Sequence, residues 1–352
     1  MISLLMQENP MDKIKLTQFS KGSGCGCKIS PAALDKILPQ IEKNQFPGLL
    51  VGYESKDDAA VYENENGDCI ISTTDFFTPI VDDPYEFGRI AAANALSDVY
   101  AMGGKPLMAL SILGWPVEKI PSEVAKKVIE GGRSVCKEAG IPLAGGHSID
   151  ISEPVFGLSV TGQVKKNAVK RNNTPKKEDV IFLTKPLGSG VLSSALKRGL
   201  LQEEQILHLT HHLTALNAIG ENLGQIAEVS AMTDVTGFGL LGHLLEMTGT
   251  NKCSAIINKS SVPRMDGFEH FSSQFVFPEN TTRNFSAYSE KCEGLQDLDF
   301  LLFCDPQTNG GLLFTAEESI KGKILNLFES QQQPIWEIGR MVSVMERSVI
   351  FR

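Results

Sequence analysis

Long hydrophobic runs are missing from this sequence of 352 residues. No segment approaches the roughly 18 apolar residues that a membrane span requires, and the apolar opening at residues 1–6 is too short for the core of a signal peptide. The seven cysteines are an odd number, and only Cys25 and Cys27 lie close together, which suits a reducing compartment. We therefore expect a cytoplasmic protein without a membrane partner.

Positive charge is also scarce, since 33 Lys and Arg face 42 Asp and Glu for a net charge of -9. Sequence-independent binding to nucleic acid relies on a basic surface, so this class of function is not expected. The chain also lacks a Walker-type Gly-x-x-x-x-Gly-Lys-Ser/Thr segment and a kinase catalytic loop. An acidic protein that binds a nucleotide must offset the phosphate charge with backbone N–H groups or with cations held by carboxylates.

The length and composition indicate an ordinary globular protein. A chain of this size should hold two domains, and 42% hydrophobic with 21% charged residues is typical of α/β or α+β folds. The polar run at 165–177 reads as the link between the domains. We expect a flexible lead-in with a catalytic loop over 1–48, an N-terminal domain over 49–165 and a C-terminal domain over 177–352.

The residues that are present include two thiols and an ammonium on a glycine-rich loop at 22–28. Glycines around Cys25 and Cys27 predict a mobile arm, and Lys28 close to the thiols favours the reactive thiolate. A zinc half-site or a disordered tail is the alternative, but zinc sites space their cysteines by two to four residues and need a second pair. The sequence of the loop therefore favours a role in catalysis over a zinc half-site or a disordered tail.

Several aspartates stand beside small or apolar residues, where a surface charge is not expected. They are Asp57, Asp58, Asp75, Asp98 and Asp234. Clustered carboxylates are hard oxygen ligands for Mg²⁺, which bridges to phosphate oxygens, although some of these aspartates could be helix caps or turn residues. Asp75 follows a predicted strand at 69–74, and Asp98 lies on a predicted helix at 84–102, sharing a face with Asn94.

Other polar residues are less decisive. His147, between Gly146 and Ser148 in a predicted glycine turn at 144–148, could contact phosphate or be structural. The segment from Gly188 to Gly190 precedes a helix and could hold an anion. We also predict a helix at 213–229 and a helix-surface position for His211 and His212.

Taken in order from about residue 15 to the C-terminus, these segments resemble the selenophosphate synthetase (selenide, water dikinase) family, within the aminoimidazole ribonucleotide synthetase-like superfamily. The segments are 24–28, 57–61, 72–77, 94–98, 101–106, 143–150, 233–239 and 305–308. The resemblance implies an α+β, two-domain fold whose N-terminal domains form a shared β-barrel in a homodimer. It also implies synthesis of selenophosphate, AMP and phosphate from ATP, selenide and water.

The resemblance further assigns roles to residues. Cys25 and Lys28 would be catalytic, and Asp58, Asp98 and Asp234 would hold Mg²⁺. ATP would be contacted by Lys28, Ser55, Lys56, Asp57, Asp75, Asp98, Gly146, His147 and Ser148. A selenium-delivery protein is a possible partner. Asn309 departs from the serine expected in that turn.

Two alternatives remain open from the sequence. Another ATP-dependent phosphotransferase or ligase of the same fold would share the aspartates but would not need Cys25 and Lys28. A non-catalytic binding protein would need neither the loop nor Mg²⁺, and the crowded carboxylates make it improbable.

Overall fold

The computed structural model describes residues 14–20, 37, 46–52, 57–249 and 252–352. Within these residues two mixed sheets, each packed with helices, follow one another along the chain. The expected α+β fold with two structural parts is therefore confirmed. In the same residues no helix is both long and apolar enough to cross a membrane.

Six described strands form the N-terminal sheet. They are β1 (Leu49–Val51), β2 (Ala60–Glu63), β3 (Asp68–Phe77), β4 (Lys105–Trp115), β5 (Leu143–Asp150) and β6 (Val155–Lys165), in the order β1-β2-β3-β6-β4-β5. Neighbouring strands are antiparallel except for β4 and β5, which are parallel. The outermost strand, β5, therefore lies three positions from β3.

Two helices, α1 (Pro84–Ala101) and α2 (Ser122–Glu138), belong to this N-terminal part. The side chain of Asp83 caps α1 by accepting from the Glu86 N–H, and Pro84 occupies the first turn. The helices approach closely at Gly88, where an added Cβ would lie 1.9 Å from the Val128 carbonyl oxygen. Almost every residue of α1 from Phe87 onward is buried, so this helix has no solvent face.

One set of alternate residues on the N-terminal sheet stays exposed although many of its members are apolar. Along β3 the buried and exposed positions alternate, as expected for a sheet covered on one face. The exposed apolar side chains are Tyr62, Ile70, Phe76, Met108, Leu110 and Ile149, together with Leu107 at an irregularity in the pairing of β4 with β6. We call them the apolar sheet face.

The C-terminal part is built on a second sheet of seven described strands. They are β7 (Val180–Leu183), β8 (Val229–Asp234), β9 (Ser254–Ile257), β10 (Cys292–Glu293), β11 (Leu312–Ala316), β12 (Trp336–Val342) and β13 (Val349–Phe351), in the order β10-β13-β9-β12-β7-β11-β8. Its helices are α3 (Ser189–Lys197), α4 (Glu203–Thr214), α5 (Ile219–Gly224), α6 (Gly239–Thr248), α7 (Phe268–Ser272), α8 (Glu279–Tyr288), α9 (Phe300–Phe303) and α10 (Lys321–Ser330). Phe182, Phe314 and Phe328 stack in its core.

The two parts meet closely around the C-terminal end of α1. Gly103 and Gly224 are in backbone contact, since a Cβ on Gly103 would lie 2.9 Å from the Gly224 Cα. Next to them the buried Lys170 ammonium donates to the carbonyl oxygens of Ile226 and Val229, at 2.7 and 2.8 Å. These contacts hold the start of β8, and the segment that leads into it, against the turn that follows α1.

Two local predictions were wrong. Residues 144–148 form part of the edge strand β5 and not a turn, because Gly146 lets the strand approach β4 so closely that a Cβ would lie 2.1 Å from the Ser111 carbonyl oxygen. The helix predicted at 213–229 is instead the end of α4 and the short α5, since α4 ends at Thr214. There the Asn309 amide donates to the carbonyl oxygens of Leu213 and Ala215, a contact that local sequence does not reveal.

Candidate functional site

The three predicted metal-binding aspartates come together at the junction of the two parts. Asp58 lies two residues before β2, Asp98 lies on α1 and Asp234 ends β8. Asp98 and Asp234 are buried, and the charges of both act on Asp58. Two elements of the N-terminal part and one of the C-terminal part thus form a single carboxylate cluster, Asp58, Asp98 and Asp234.

Each carboxylate of the cluster accepts a hydrogen bond from a hydroxyl group on another element. Thr233 donates to Asp58 at 2.9 Å, and Ser97 donates to Asp234 at 2.5 Å, so both of these bonds cross the junction. Within the N-terminal part, Thr73 of β3 donates to Asp98 at 2.5 Å. The bonds hold one oxygen of each carboxylate.

The cluster is electrostatically strained. Burial, followed by the charges of Asp234 and Asp98, raises the pKa of Asp58 well above its usual value. Its Oδ2 atom is buried without a hydrogen-bond partner among the described residues. A cation would relieve both penalties, and three carboxylates are a hard-oxygen donor set suited to Mg²⁺. In the arrangement described, however, no three His, Cys, Asp or Glu side chains of the described residues are close enough together to hold a metal ion.

Two further predicted residues lie near the junction. Asp75 on β3 accepts from the Asn94 amide on α1 at 2.5 Å. Asp57 accepts from the backbone N–H of Asn172, in the segment that links the two parts, at 2.7 Å. Both side chains are therefore oriented by contacts that the sequence alone did not predict.

Gly146, His147 and Ser148 are not brought to the carboxylate cluster within one chain. They lie on β5, an exposed edge strand that is three strands from β3, or about 14 Å at the usual strand spacing. His147 pairs in register with Ile112 of β4. These residues instead belong to the region of the apolar sheet face.

The remaining predicted site residues fall outside the described part of the chain. They are Cys25, Cys27, Lys28, Ser55 and Lys56.

Sequence reasoning missed the hydroxyl and amide residues that support the cluster. Ser97 and Thr233 each stand directly before an aspartate in the chain, which was a usable signal, but Thr233 bonds to Asp58 and not to its neighbour's carboxylate. Asn217 also escaped notice, although its amide donates to Ser97 Oγ at 2.8 Å. Partners far apart in sequence cannot be paired without the fold.

The structure differs from two other expectations, the anion site at 188–190 and the helix-surface position of His212. The N-terminus of α3 at Gly188–Gly190 is filled internally, because Gln307 accepts from the N–H groups of Gly188 and Ser189 while Asp305 accepts from that of Gly190. His212 is not simply on a helix surface: its Nε2 atom is buried, and burial lowers its pKa to about 3.

Family models match most of the chain. Residues 56–164 match the AIR synthase related protein, N-terminal domain, and residues 176–351 match the C-terminal domain. The chain is 50% identical over 336 residues to the "Selenide, water dikinase" of Aeromonas hydrophila subsp. hydrophila, covering 94% of this chain and 96% of that protein. It is 54% identical over 307 residues to the protein of the same name from Photobacterium profundum, covering 87% and 89%.

Solved structures share the fold at lower identity. Thiamine-monophosphate kinase from Stenotrophomonas maltophilia K279a superposes with a TM-score of 0.64 at 20% identity, covering 87% of this chain and 92% of that one. The hydrogenase maturation protein HypE in complex with ATP superposes with a TM-score of 0.62 at 16% identity, covering 87% of each chain. These similarities establish the fold alone.

We expect Asp58→Asn to stabilise the ligand-free protein increasingly as pH rises. The raised pKa means that folded Asp58 binds a proton more readily than unfolded Asp58, so its contribution to stability is complete below the unfolded pKa and is lost as pH rises through the folded pKa. Asparagine removes that loss. Thermal unfolding between pH 4 and pH 8 measures it, each 1 kcal/mol corresponding to about 2–4 °C in domains of roughly 150–250 residues.

Asp68→Asn on the exposed start of β3 is the matched control and should leave the pH profile of unfolding unchanged. An Asp58→Asn curve parallel to that of the wild type at every pH would contradict the prediction.

Proposed function

The chain belongs to the selenide, water dikinase family, and on that premise we propose that it makes selenophosphate, with AMP and phosphate, from ATP, selenide and water. The high identity to proteins of that name over almost the whole chain supports this function. The structural observation that carries it is the carboxylate cluster at the junction of the two parts. A cluster of this kind suits a reaction in which a triphosphate must be held and its charge offset.

ATP is the nucleotide substrate. A fold relative, HypE, has been solved in complex with ATP, and family members are dikinases by name. In our proposal Ser55, Lys56, Asp57 and Asp75 contact the nucleotide. The Asn94 amide orients Asp75, and the N–H of Asn172 orients Asp57.

We propose Mg²⁺ as the cation that Asp58, Asp98 and Asp234 hold. The fit rests on the Oδ2 atom of Asp58, which has no hydrogen-bond partner among the described residues, and on the burial and the repulsion that raise the pKa of Asp58. A bound Mg²⁺ would offset the charge of the phosphates. The hydroxyl groups of Thr73, Ser97 and Thr233 keep the three carboxylates directed toward the junction.

Cys25 and Lys28 complete the proposed chemistry, from a loop outside the described residues. A thiolate at Cys25 can position or carry selenium, whereas the Lys28 ammonium can only neutralise negative charge that develops on the transferred phosphoryl group. Lys28 would also contact ATP. The two residues therefore act at different stages.

We also propose that the protein is a homodimer joined through the apolar sheet face. Exposed Ile70 and Phe76 on β3 and Leu110 on β4 would be costly in water, and a second copy would cover them by completing a shared β-barrel. The same pairing would carry Gly146, His147 and Ser148 on β5 toward the nucleotide site near the interface.

The finer division of the chain remains a proposal too. We assign the catalytic loop and its lead-in to 1–48, the ATP- and Mg²⁺-binding domain to 49–165 and the C-terminal domain to 177–352. The family-model bounds of 56–164 and 176–351 support this division. A cytoplasmic location and a selenium-delivery partner fit an enzyme that handles a reactive selenium species.

The function predicts the products directly. Phosphorus NMR of the purified protein with ATP, Mg²⁺ and selenide under anaerobic conditions should detect selenophosphate together with AMP and phosphate. Cys25→Ser should abolish selenophosphate but leave ATP binding intact. Lys28→Ala should lower ATP turnover by about 10²- to 10³-fold, the usual effect of losing one group that stabilises transition-state charge.

Cys27→Ser is the control for the loop and should keep substantial activity. If ADP were the sole stable nucleotide product, the alternative of another phosphotransferase of this fold would replace the proposal. If Cys25→Ser made selenophosphate at the wild-type rate with free selenide, the cysteines of the loop would serve only to receive selenium from a delivery protein.

The proposed Mg²⁺ site predicts a shared loss of metal-dependent binding. Changing Asp58, Asp98 or Asp234 to asparagine should weaken ATP binding by about tenfold or more at saturating Mg²⁺, a loss of about 1.4 kcal/mol. Calorimetric titration with ATP at several Mg²⁺ concentrations measures it, and Asp68→Asn serves as the control. Unchanged binding in all three variants would remove them from the site.

The proposed dimer predicts a response to charge on the apolar sheet face. Leu110→Glu should give a monomer of 38.3 kDa in sedimentation equilibrium, because it would bury a carboxylate in the interface. Leu200→Glu in the C-terminal part is a matched control, since both leucines are 43% exposed, and it should keep the dimer mass. A monomeric wild type would contradict the proposal.

A further inference from the structure

A chain of buried hydrogen bonds crosses the junction and ends at Asp75. Lys185, two residues after β7, donates from Nζ to the Asn309 carbonyl oxygen at 2.8 Å. The Asn309 N–H donates to Asn94 Oδ1 at 2.7 Å, and Asn94 Nδ2 donates to Asp75 Oδ2 at 2.5 Å. Lys185, Asn309 and Asn94 are buried, so water does not compete for the bonds among these three residues, whereas the bond to Asp75 is part-buried. We call these four residues the Lys185–Asp75 chain.

The direction of the bonds fixes the Asn94 amide. A backbone N–H can only donate, so the Asn309 N–H must face the amide oxygen of Asn94. The NH₂ group of Asn94 then faces Asp75 and holds one oxygen of its carboxylate. The orientation of Asp75 thus depends on where the Asn309 backbone lies.

The Asn309 backbone is itself held in an unusual conformation. Its φ of 46° lies in the left-handed region, which asparagine adopts more readily than most residues. Its amide donates to the carbonyl oxygens of Leu213 and Ala215 at the end of α4, and Lys185 anchors its carbonyl oxygen. Lys185 also donates to the Ala215 carbonyl oxygen at 2.8 Å, which joins the same helix end to the turn.

From this geometry we infer that Lys185 is a positioning residue for the nucleotide, acting through Asn309 and Asn94 on the carboxylate of Asp75. The inference rests on the proposed function, in which Asp75 contacts ATP. Lys185 itself has no contact with the substrate in this assignment. Its role is to keep the turn at Asn309 fixed against α4, so that Asp75 is already oriented before ATP arrives.

The hydrogen bonds of the Lys185–Asp75 chain do not require a charged lysine. Burial lowers the pKa of Lys185 to about 7, an effect opposed by the charge of Asp234. A neutral amine has two hydrogens, and Lys185 has two carbonyl acceptors, on Ala215 and Asn309. The hydrogen bonds can therefore persist after the proton is lost, which separates the positioning role from a simple electrostatic one.

A double-mutant cycle between Lys185 and Asp75 tests the inference. We expect Lys185→Met to weaken ATP binding at saturating Mg²⁺ by about tenfold in the wild-type background, as measured by calorimetric titration. In an Asp75→Ala background the same change should weaken binding by less than about twofold, because residues that act through one another are not additive. Thermal unfolding of each variant is measured alongside.

Lys170→Met is the matched control. Lys170, in the segment that links the two parts, is also buried and also donates to two backbone carbonyl oxygens, but its acceptors are on Ile226 and Val229 and do not lead to Asp75. The variant should lose stability without losing ATP affinity. Lys185→Gln serves in the same cycle if Lys185→Met does not fold. Both variants lose the charge of Lys185, so weaker ATP binding by Lys185→Met than by Lys185→Gln reports the contribution of the hydrogen bonds.

Equal losses of affinity in both backgrounds, or a loss in Lys170→Met as large as in Lys185→Met, would overturn the inference. Wild-type ATP affinity in Asp75→Ala would overturn it as well and would remove Asp75 from the nucleotide site. Absence of ATP binding by the wild-type protein would instead contradict the proposed function, so the two failures are distinct.

Discussion

Buried like charges repel one another, and Asp58, Asp98 and Asp234 are kept together because each carboxylate is tethered by a hydroxyl group from another element. Two of the three tethers cross between the N-terminal and C-terminal parts. The hydrogen bonds at the junction therefore hold the two parts of the protein together and also bring the three carboxylates into one cluster. Burial, and after it the repulsion from Asp234 and Asp98, raises the pKa of Asp58, which is a cost of folding that a cation would offset.

The tethers work because the surrounding backbone leaves little room to relax. Gly103 and Gly224 are in backbone contact where the two parts meet, and within the C-terminal part a Cβ on Gly310 would lie 2.0 Å from the Val235 carbonyl oxygen. The turn at Asn309 is fixed from three sides, by α4, Lys185 and Asn94. Rigid surroundings of this kind keep a charged site in one geometry, as pre-organised binding requires.

Sequence pattern predicted the regular elements well wherever local signals were strong. The helix that carries Asn94 and Asp98 was predicted at 84–102 and spans Pro84–Ala101. The strand predicted at 69–74 is present as well, but it continues through Asp75 to Phe77. The predictions of a helix at 213–229 and of a turn at 144–148 were wrong, because partners distant in sequence determine where α4 ends and how the strand at Gly146 pairs. The aspartates were identifiable from their apolar neighbours, whereas Ser97, Asn217 and Lys185 gain their importance only through tertiary contacts.

Because α1 is buried on all sides, the N-terminal part cannot finish folding until later segments of the chain have been synthesised. This helix is made early, yet β8, which supplies Thr233 and Asp234 beside it, is held in its sheet by pairing with β11 at Leu312–Ala316. At typical rates of synthesis, those residues follow the end of α1 by roughly 10 to 40 s. During that interval the nascent N-terminal half exposes the helix face that later meets β8.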